Sequence, residues 1–489
     1  MTQATPTQTT ITIDGQVVPF LPGDTIMRAA EKAALDGTIP RFCYHPGLPV
    51  AGTCRMCTVE VEKAPKLMTS CSTPCADGMV VHTQSDKVKK SREGVMEFLL
   101  ANHPLDCPVC DQAGECSLQN YNYEYGPRTS EFHEEKRTWT KSTTKKLSEK
   151  LTLNMNRCIH CERCVRFTDE VTKTHELTMV NRGWKKELVS AEDLGVVSEY
   201  QGNIADICPV GAITFNDFRF QKRVWFLKPR PSICDGCSKG CAVWADEEKD
   251  IIYRYRARRN DDVNGHWICD SGRVSFQTYG NPARIVEPLI RVNQGLVATN
   301  WETLAPAFVK DLSKASKVLL VMGTDATNEE MNEIQTLKNL VKGTFDVRYF
   351  NGVDGVKTSG DDRPMDDVLR RLDKTPNTRG AEALGLKPLE EGGSYDLAIY
   401  FRGGRAALAS KRAAKEYGWG VFTREEAERF DGVLPGLATT EKSGTFRNSA
   451  GHDQKFVAAV KAKGSAASVT RILEGLFLVA RREVELGVQ

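Results

Sequence analysis

The chain has 489 residues, and its 66 Lys and Arg nearly balance 64 Asp and Glu for a net charge of +2, which excludes strong steering toward nucleic acid or an anionic membrane. No apolar run approaches the roughly 20 residues a spanning helix needs. The length leaves room for roughly three or four domains. The opening Met1-Thr2-Gln3-Ala4-Thr5 lacks both a basic residue and an apolar core. Residues 1–9 are therefore expected to be a disordered terminus, neither a signal nor a transit peptide. Without an export signal, the expectation is a soluble, cytosolic, bacterial protein in a reducing compartment, where metal binding by cysteine outranks disulfides.

In chain order, Thr10–Phe20 alternates like a β-hairpin around Asp14-Gly15. A helix is expected over Thr25–Ala34 with Asp24 as N-cap. A cysteine loop follows, with Cys43, Cys54, Cys57 and, after 13 more residues, Cys71. Hairpin, helix and cysteine loop match the layout of a β-grasp ferredoxin, although the spacing departs from the plant-type C-x4-C-x2-C. Gly47, Ala51, Gly52 and Thr53 suit a loop whose amides turn inward toward sulfur. A zinc knuckle is the alternative, and Cys75 reads as an incidental buried thiol.

A second helix is expected from Ser91 to Asn102, with Val95, Phe98 and Leu99 at helical spacing. It leads into His103, Cys107, Cys110 and Cys116. Three thiolates and an imidazole suit zinc as well as iron. Next come Cys158, Cys161 and Cys164 in the bacterial ferredoxin run C-x2-C-x2-C, with Cys208-Pro209 carrying the Cys-Pro of its fourth position. Thr168 stands where the run's own fourth cysteine would be. That is the arithmetic of a duplicated module that kept one cluster. Asp206–Ile213 gives the turn and apolar return.

The fourth group is Cys234, Cys237, Cys241 and, after a 27-residue gap, Cys269. Ile251–Arg256 between them alternates as a short strand, and a zinc ribbon is the competitor. All 16 cysteines lie between Cys43 and Cys269. With His103 they fill four sets of four soft ligands, one iron–sulfur cluster each, leaving only Cys75 over. Such a series reads as an electron conductor.

The order of these sets resembles the large iron–sulfur subunits (G chains) of NADH:quinone oxidoreductase, respiratory complex I, from about residue 10 to 275. The fourth set, with Trp267–Arg273, is similar to the small iron–sulfur domain of molybdopterin oxidoreductases. The resemblance implies a [2Fe–2S] cluster on Cys43, Cys54, Cys57 and Cys71. It implies [4Fe–4S] clusters on His103/Cys107/Cys110/Cys116, on Cys158/Cys161/Cys164/Cys208 and on Cys234/Cys237/Cys241/Cys269. The implied fold is α+β. It comprises a β-grasp [2Fe–2S] ferredoxin (10–88), a helical module with one histidine and three cysteines (89–130), a ferredoxin-like module (145–222) and the small iron–sulfur domain (227–283). A truncated α/β molybdopterin-oxidoreductase-like domain without molybdopterin (284–489) completes it. There, Val318–Gly323 and Leu397–Phe401 read as buried parallel strands. Thr327 begins a capping box for a helix burying Met331, Ile334 and Leu337, and Glu441–Asn448 resembles the family's Glu-x-x-Gly-Thr-x-x-Asn loop.

No Gly-x-Gly-x-x-Gly or P-loop is present; Gly343, Gly352 and Gly355 lack the spacing. Hydride chemistry then belongs to a flavin- and NADH-binding partner subunit, and other peripheral-arm subunits are the further partners. The resemblance implies a peripheral location on the cytoplasmic side of the bacterial inner membrane, with no direct insertion. His45, His82, His160 and His175 are expected to be surface or packing residues, and Trp184, Trp225 and Trp244 core residues. The alternatives are an electron-transfer subunit of a soluble NAD-linked hydrogenase or formate dehydrogenase, and a zinc-stabilised scaffold.

Overall fold

A computed structural model describes residues 9–139, 144–190, 195–350, 365–404 and 410–485. Most of the expected disordered terminus, and Gly352 and Gly355, lie outside the described residues. The chain divides into two compact units, Met1–Phe226 and Leu227–Gln489.

The first unit opens with a five-stranded sheet in the spatial order Gln16–Pro19, Thr10–Ile13, Val80–His82, Thr58–Val61, Met68–Thr69. Alternation buries Ile11, Ile13 and Val18 against Ile26, Met27, Ala29 and Ala30 of the helix Ile26–Lys32. This is the anticipated hairpin and helix, with one correction. Thr25, not Asp24, caps the helix, its hydroxyl accepting from Arg28 N. The Asp24 carboxylate instead accepts from Leu21 N at 2.8 Å and Lys32 Nζ at 2.5 Å.

The second helix runs Asp86–Ala101 from an N-cap at Ser85, so it begins a turn earlier than Ser91. Of the expected apolar stripe, Val95 and Leu99 pack against a core, but Phe98 is 84% exposed, while Val88, Met96 and Arg92 are buried. Arg92 is accommodated by stacking over Tyr125 at 5.2 Å and by donating to Thr58 O at 3.3 Å. Helices Arg163–Glu170 and Gln201–Ile207 and the sheet Ile213–Phe215, Leu151–Leu153, Lys145–Lys146 build the third module.

The second unit starts with an antiparallel sheet, Lys228–Ile233, Ala242–Glu248 and Ile251–Ala257. An eight-stranded sheet follows, in the order Gly295–Ala298, Leu289–Val292, Gly432–Pro435, Ala413–Gly420, Tyr395–Arg402, Lys317–Gly323, Thr344–Phe350, Lys387–Pro388. Its last six strands are mutually parallel, and the sheet continues through them in a wound, nucleotide-fold-like manner with crossovers on either side of Lys317–Gly323. Val318 through Met322 are buried on both faces, as a central parallel strand requires. The Thr327 capping box forms, and Met331, Ile334 and Leu337 are fully buried.

The tryptophan expectation fails. Trp184 is 68% exposed and Trp225 60% exposed. The first sits in the turn of the hairpin Leu177–Ser190 beside Lys185, the second in a short turn beside Arg223, so each rests on a cation instead of a core. Trp244 is half-buried, with Arg258 over its ring.

Candidate metal centres

In the first set, Cys57 directly precedes the strand Thr58–Val61 and Cys71 follows Met68–Thr69. The antiparallel pairing of Thr58 with Thr69 therefore draws these two cysteines together. Ser70 fixes the approach, its amide and hydroxyl both donating to Cys57 O at 3.1 and 2.8 Å. Cys43, Cys57 and Cys71 are buried and Cys54 half-buried. A hydrogen bond from Cys54 lowers the Cys43 thiol to about 5 against the opposing effect of burial, and Cys54 is pushed up in return. Cys71 likewise lowers Cys57 to about 7 and is itself raised. Within each pair, ionising one thiol opposes ionising the other, so ionising all four needs an added cation. Arg55, between Cys54 and Cys57, holds φ at 62°, the left-handed turn that lets successive amides form an anion-binding nest.

In the second set, His103 follows the end of the helix Asp86–Ala101, Cys107 opens a short 3-10 turn, and Cys116 is the N-cap of the helix Ser117–Tyr125. Burial lowers the His103 imidazole to about 4, so it is neutral at physiological pH, the form that binds metal. Its Nδ1 is buried without a hydrogen-bond partner, an orphan that a metal ion or cluster would satisfy. Cys110 and Cys116 are buried, their thiols raised by desolvation, while Cys107 is exposed. Arg223 donates to Cys110 O at 2.6 Å, and Arg157 pairs with Asp106 at 2.6 Å. A Cβ on Gly211 would lie 2.3 Å from Cys110 Sγ, so only glycine leaves that sulfur its place.

In the third set, burial raises Cys158 to about 12 and Cys161 to about 11, and Cys164 and Cys208 rise as well, with thiolate neighbours adding to the rise at Cys158, Cys161 and Cys164. His160 and Glu162 flank Cys161 with φ of 55° and 58°, and the His160 amide donates to Cys158 Sγ at 3.4 Å. His160 Nε2 meets Lys186 O at 2.8 Å, so this histidine ties its loop to the covering hairpin. Thr168 is fully buried and its hydroxyl donates to Val165 O.

In the fourth set, Cys234, Cys241 and Cys269 are buried and Cys237 half-buried. Burial and mutual repulsion raise Cys234 and Cys241 strongly and Cys269 in the same direction. The amides of Gly236 and Gly272 donate to Cys234 Sγ and Cys269 Sγ, each at 3.4 Å. A Cβ on Gly272 would meet those two sulfurs at 2.9 and 3.3 Å. The loop carrying Cys237 is clasped by the C-terminal region: Ser449 N donates to Ser238 O at 2.7 Å, and Gln454 Nε2 to Gly240 O at 2.8 Å. The Glu441 loop is anchored by a buried bidentate pair with Arg284, at 2.8 and 2.7 Å.

Within each of the four sets, cysteines raise one another's thiols by mutual repulsion. Cys75 stays apart, packed against the core of the first sheet, its thiol raised to about 11 by burial. Among the described residues, no group of three or more His, Cys, Asp or Glu side chains closes tightly enough to grip a single ion. The nests are defined instead by burial, shared charge and inward backbone donors, a chemistry suited to a bulky anionic cluster. Spacing did not reveal Arg163, Arg166 and Arg223, which donate to backbone carbonyls of the cysteine loops, or Arg157, which pairs with Asp106; basic residues flanking Cys164 and Cys158 were the available signal. No helix among the described residues is long and apolar enough to cross a membrane.

Three family descriptions match separate stretches: a 2Fe-2S iron-sulfur cluster binding domain at residues 6–86, the NADH-ubiquinone oxidoreductase-G iron-sulfur binding region at 92–131, and the ferredoxin-like domain of NADH-quinone oxidoreductase subunit 3 at 148–214. The NADH-quinone oxidoreductase G subunit of Rickettsia bellii is 39% identical over 344 residues, 70% of this chain and 50% of the relative. The mitochondrial NADH-ubiquinone oxidoreductase 78 kDa subunit of Candida albicans is 40% identical over 335 residues, 67% of this chain and 46% of the relative. A chain of NAD+-reducing [NiFe]-hydrogenase in the H2-reduced state is 29% identical and superposes with a TM-score of 0.38, covering 44% of this chain and 91% of that one. The chain spans about half the length of the curated relatives it matches.

Proposed function

Since the chain belongs, over the 70% of its length that aligns, to the family of NADH-quinone oxidoreductase G subunits, we propose that it passes single electrons from a flavin-bearing, NADH-oxidising partner subunit toward the quinone site of such an enzyme. Cys43, Cys54, Cys57 and Cys71 would hold a [2Fe–2S] cluster. His103 with Cys107, Cys110 and Cys116 would hold a [4Fe–4S] cluster, as would Cys158, Cys161, Cys164 and Cys208. A third [4Fe–4S] cluster would sit on Cys234, Cys237, Cys241 and Cys269. Such clusters supply one-electron chemistry when bound. The other partners would be peripheral-arm subunits, at the cytoplasmic face of a bacterial inner membrane. The α/β region, 284–489, would pack and dock without molybdopterin.

The observation that carries this reading is a series of mostly buried thiols, with backbone amides turned toward sulfur at His160, Gly236 and Gly272. The chain's own part is to place each nest and set its potential. Amides of His160, Gly236 and Gly272 donate to sulfur, which stabilises the more negative state. A neutral His103 in place of a fourth thiolate makes its site less negative, and burial opposes added charge at all four.

Low-temperature EPR of the reduced, anaerobically purified chain, with iron, sulfide and zinc measured on one sample, tests the reading. About 14 iron atoms per chain and matching sulfide are expected. A colourless protein with four zinc ions would end it. In the assembled enzyme, Cys161→Ser and Cys208→Ser should each abolish NADH:quinone electron flow; flow retained in a cluster-free Cys161→Ser variant would remove the third set from the path.

A further inference from the structure

We propose that Arg163 and Arg166, one turn apart on the helix Arg163–Glu170, clamp the first and third thiol nests at a fixed separation and place positive charge that both nests share. Arg163 donates through Nη2 to Tyr44 O at 2.6 Å and through Nη1 to Ile207 O at 3.0 Å. Arg166 donates through Nη2 to Cys43 O and to Cys161 O, the latter at 3.3 Å, and through Nη1 to Pro49 O. Two acceptors thus belong to nest cysteines themselves, and Tyr44 and Ile207 adjoin Cys43 and Cys208 in the chain. The bonds from these two side chains to the first module span 117 to 123 residues of sequence. Residues three apart on a helix share a face, so both guanidinium groups reach the same neighbouring loop.

The charge argument is independent of the tether. Both side chains are half-buried, and the Nε of each is buried without a hydrogen-bond partner. A cation withdrawn from water needs an anion nearby, and clusters held in the two nests would supply it beside this helix. Cationic charge beside a redox centre favours its reduced form. A planar fork of donors fixes two loops at once, which a lysine cannot do.

The inference rests on both nests holding clusters, as proposed above, and its test separates the two ideas. In the full chain, the double variant Arg163→Gln/Arg166→Gln should speed amide exchange of residues 43–49 and 207–208 roughly tenfold, with or without iron. In the iron-loaded chain, redox titration followed by EPR should show the first and third sets both harder to reduce. The expected drop is roughly tenfold in the one-electron equilibrium, or about 59 mV. The His103 and Cys234 sets should not move. Arg166→Lys should keep the potentials and lose the exchange protection, since it retains charge without the fork. Faster exchange with unmoved potentials would overturn the shared charge. Unchanged exchange in either variant would overturn the clamp. If the double variant fails to load iron, the single variants Arg163→Gln and Arg166→Gln decide by the same readouts. A wild-type chain that takes up no iron under cluster-assembling conditions, while the double variant still exchanges faster, would sink the cluster assignment and uphold the clamp.

Discussion

The two units solve the problem of burying thiols in opposite ways. In Leu227–Gln489, the eight-stranded sheet carries a thick core in which Phe308 meets Tyr417 edge-on at 4.9 Å and Trp419 is wholly buried. The fourth nest is an appendage to that mass. In Met1–Phe226, strands are only two to four residues long and the cores are small, so three nests occupy much of the interior. The proposed clusters are therefore expected to be integral to the fold of the first unit and separable from that of the second.

Removing iron and sulfide with a chelator is the strongest way to break that comparison. The first unit should lose its protease resistance and its share of the melting transition, whereas the second unit keeps its sheet. Limited proteolysis with calorimetry reads both; two units melting unchanged would erase the distinction. Next, Trp419→Ala should cost the second unit about 3–5 kcal/mol, measured by denaturant unfolding, and leave iron in the first three nests untouched.

Glu441→Gln sharpens the contrast further. The Arg284–Glu441 pair has side chains only 3% and 1% exposed, so losing one partner strands a buried charge. A destabilisation of about 3–5 kcal/mol is expected, with the EPR signal of the cluster proposed on the Cys234 set broadened because the same C-terminal region clasps Ser238. An unbroadened signal would mean that the clasp is idle.

The smallest effect is a pH dependence confined to the second unit. Burial pushes the Asp246 carboxyl up, but Arg256 and Arg254, both at 2.7 Å, outweigh it and hold it below its ordinary value of 3.8. A carboxyl lowered by folding stabilises the folded state fully above the unfolded value. That contribution is lost as pH falls below about 3.8 through the folded value. In Asp246→Asn the acid side of the stability curve should flatten; an unchanged acid limb would show that the two arginines do not stabilise the folded state through Asp246.

Elements with strong local signals were legible in the chain. The Val318–Gly323 run, the Thr327 capping box and the alternating Thr10–Phe20 hairpin form as read. Each depends on neighbours within a dozen residues. What escaped depends on distant partners. Arg92 looks like a surface residue until Tyr125 and Thr58 meet it. Phe98 looks like core, yet the helix that starts at Asp86 turns Arg92 and Met96 inward and leaves Phe98 exposed. Trp184 and Trp225 carry large aromatic rings, but a turn and a cation keep them at the surface. The bonds from Arg163 and Arg166 to the first module leave no periodic trace, because carbonyl acceptors are the same in every residue.

Gly211 has a last consequence. It follows Cys208-Pro209-Val210 of the third module, yet the space it vacates is occupied by a sulfur of the second. These modules are therefore not interchangeable cassettes strung on a thread. One forms part of its neighbour's wall, so a transplant that replaced the third with a generic ferredoxin segment would deform a site it never touched in sequence. Maturation of the two should proceed as a joint event, and damage introduced at one address would be reported from the other.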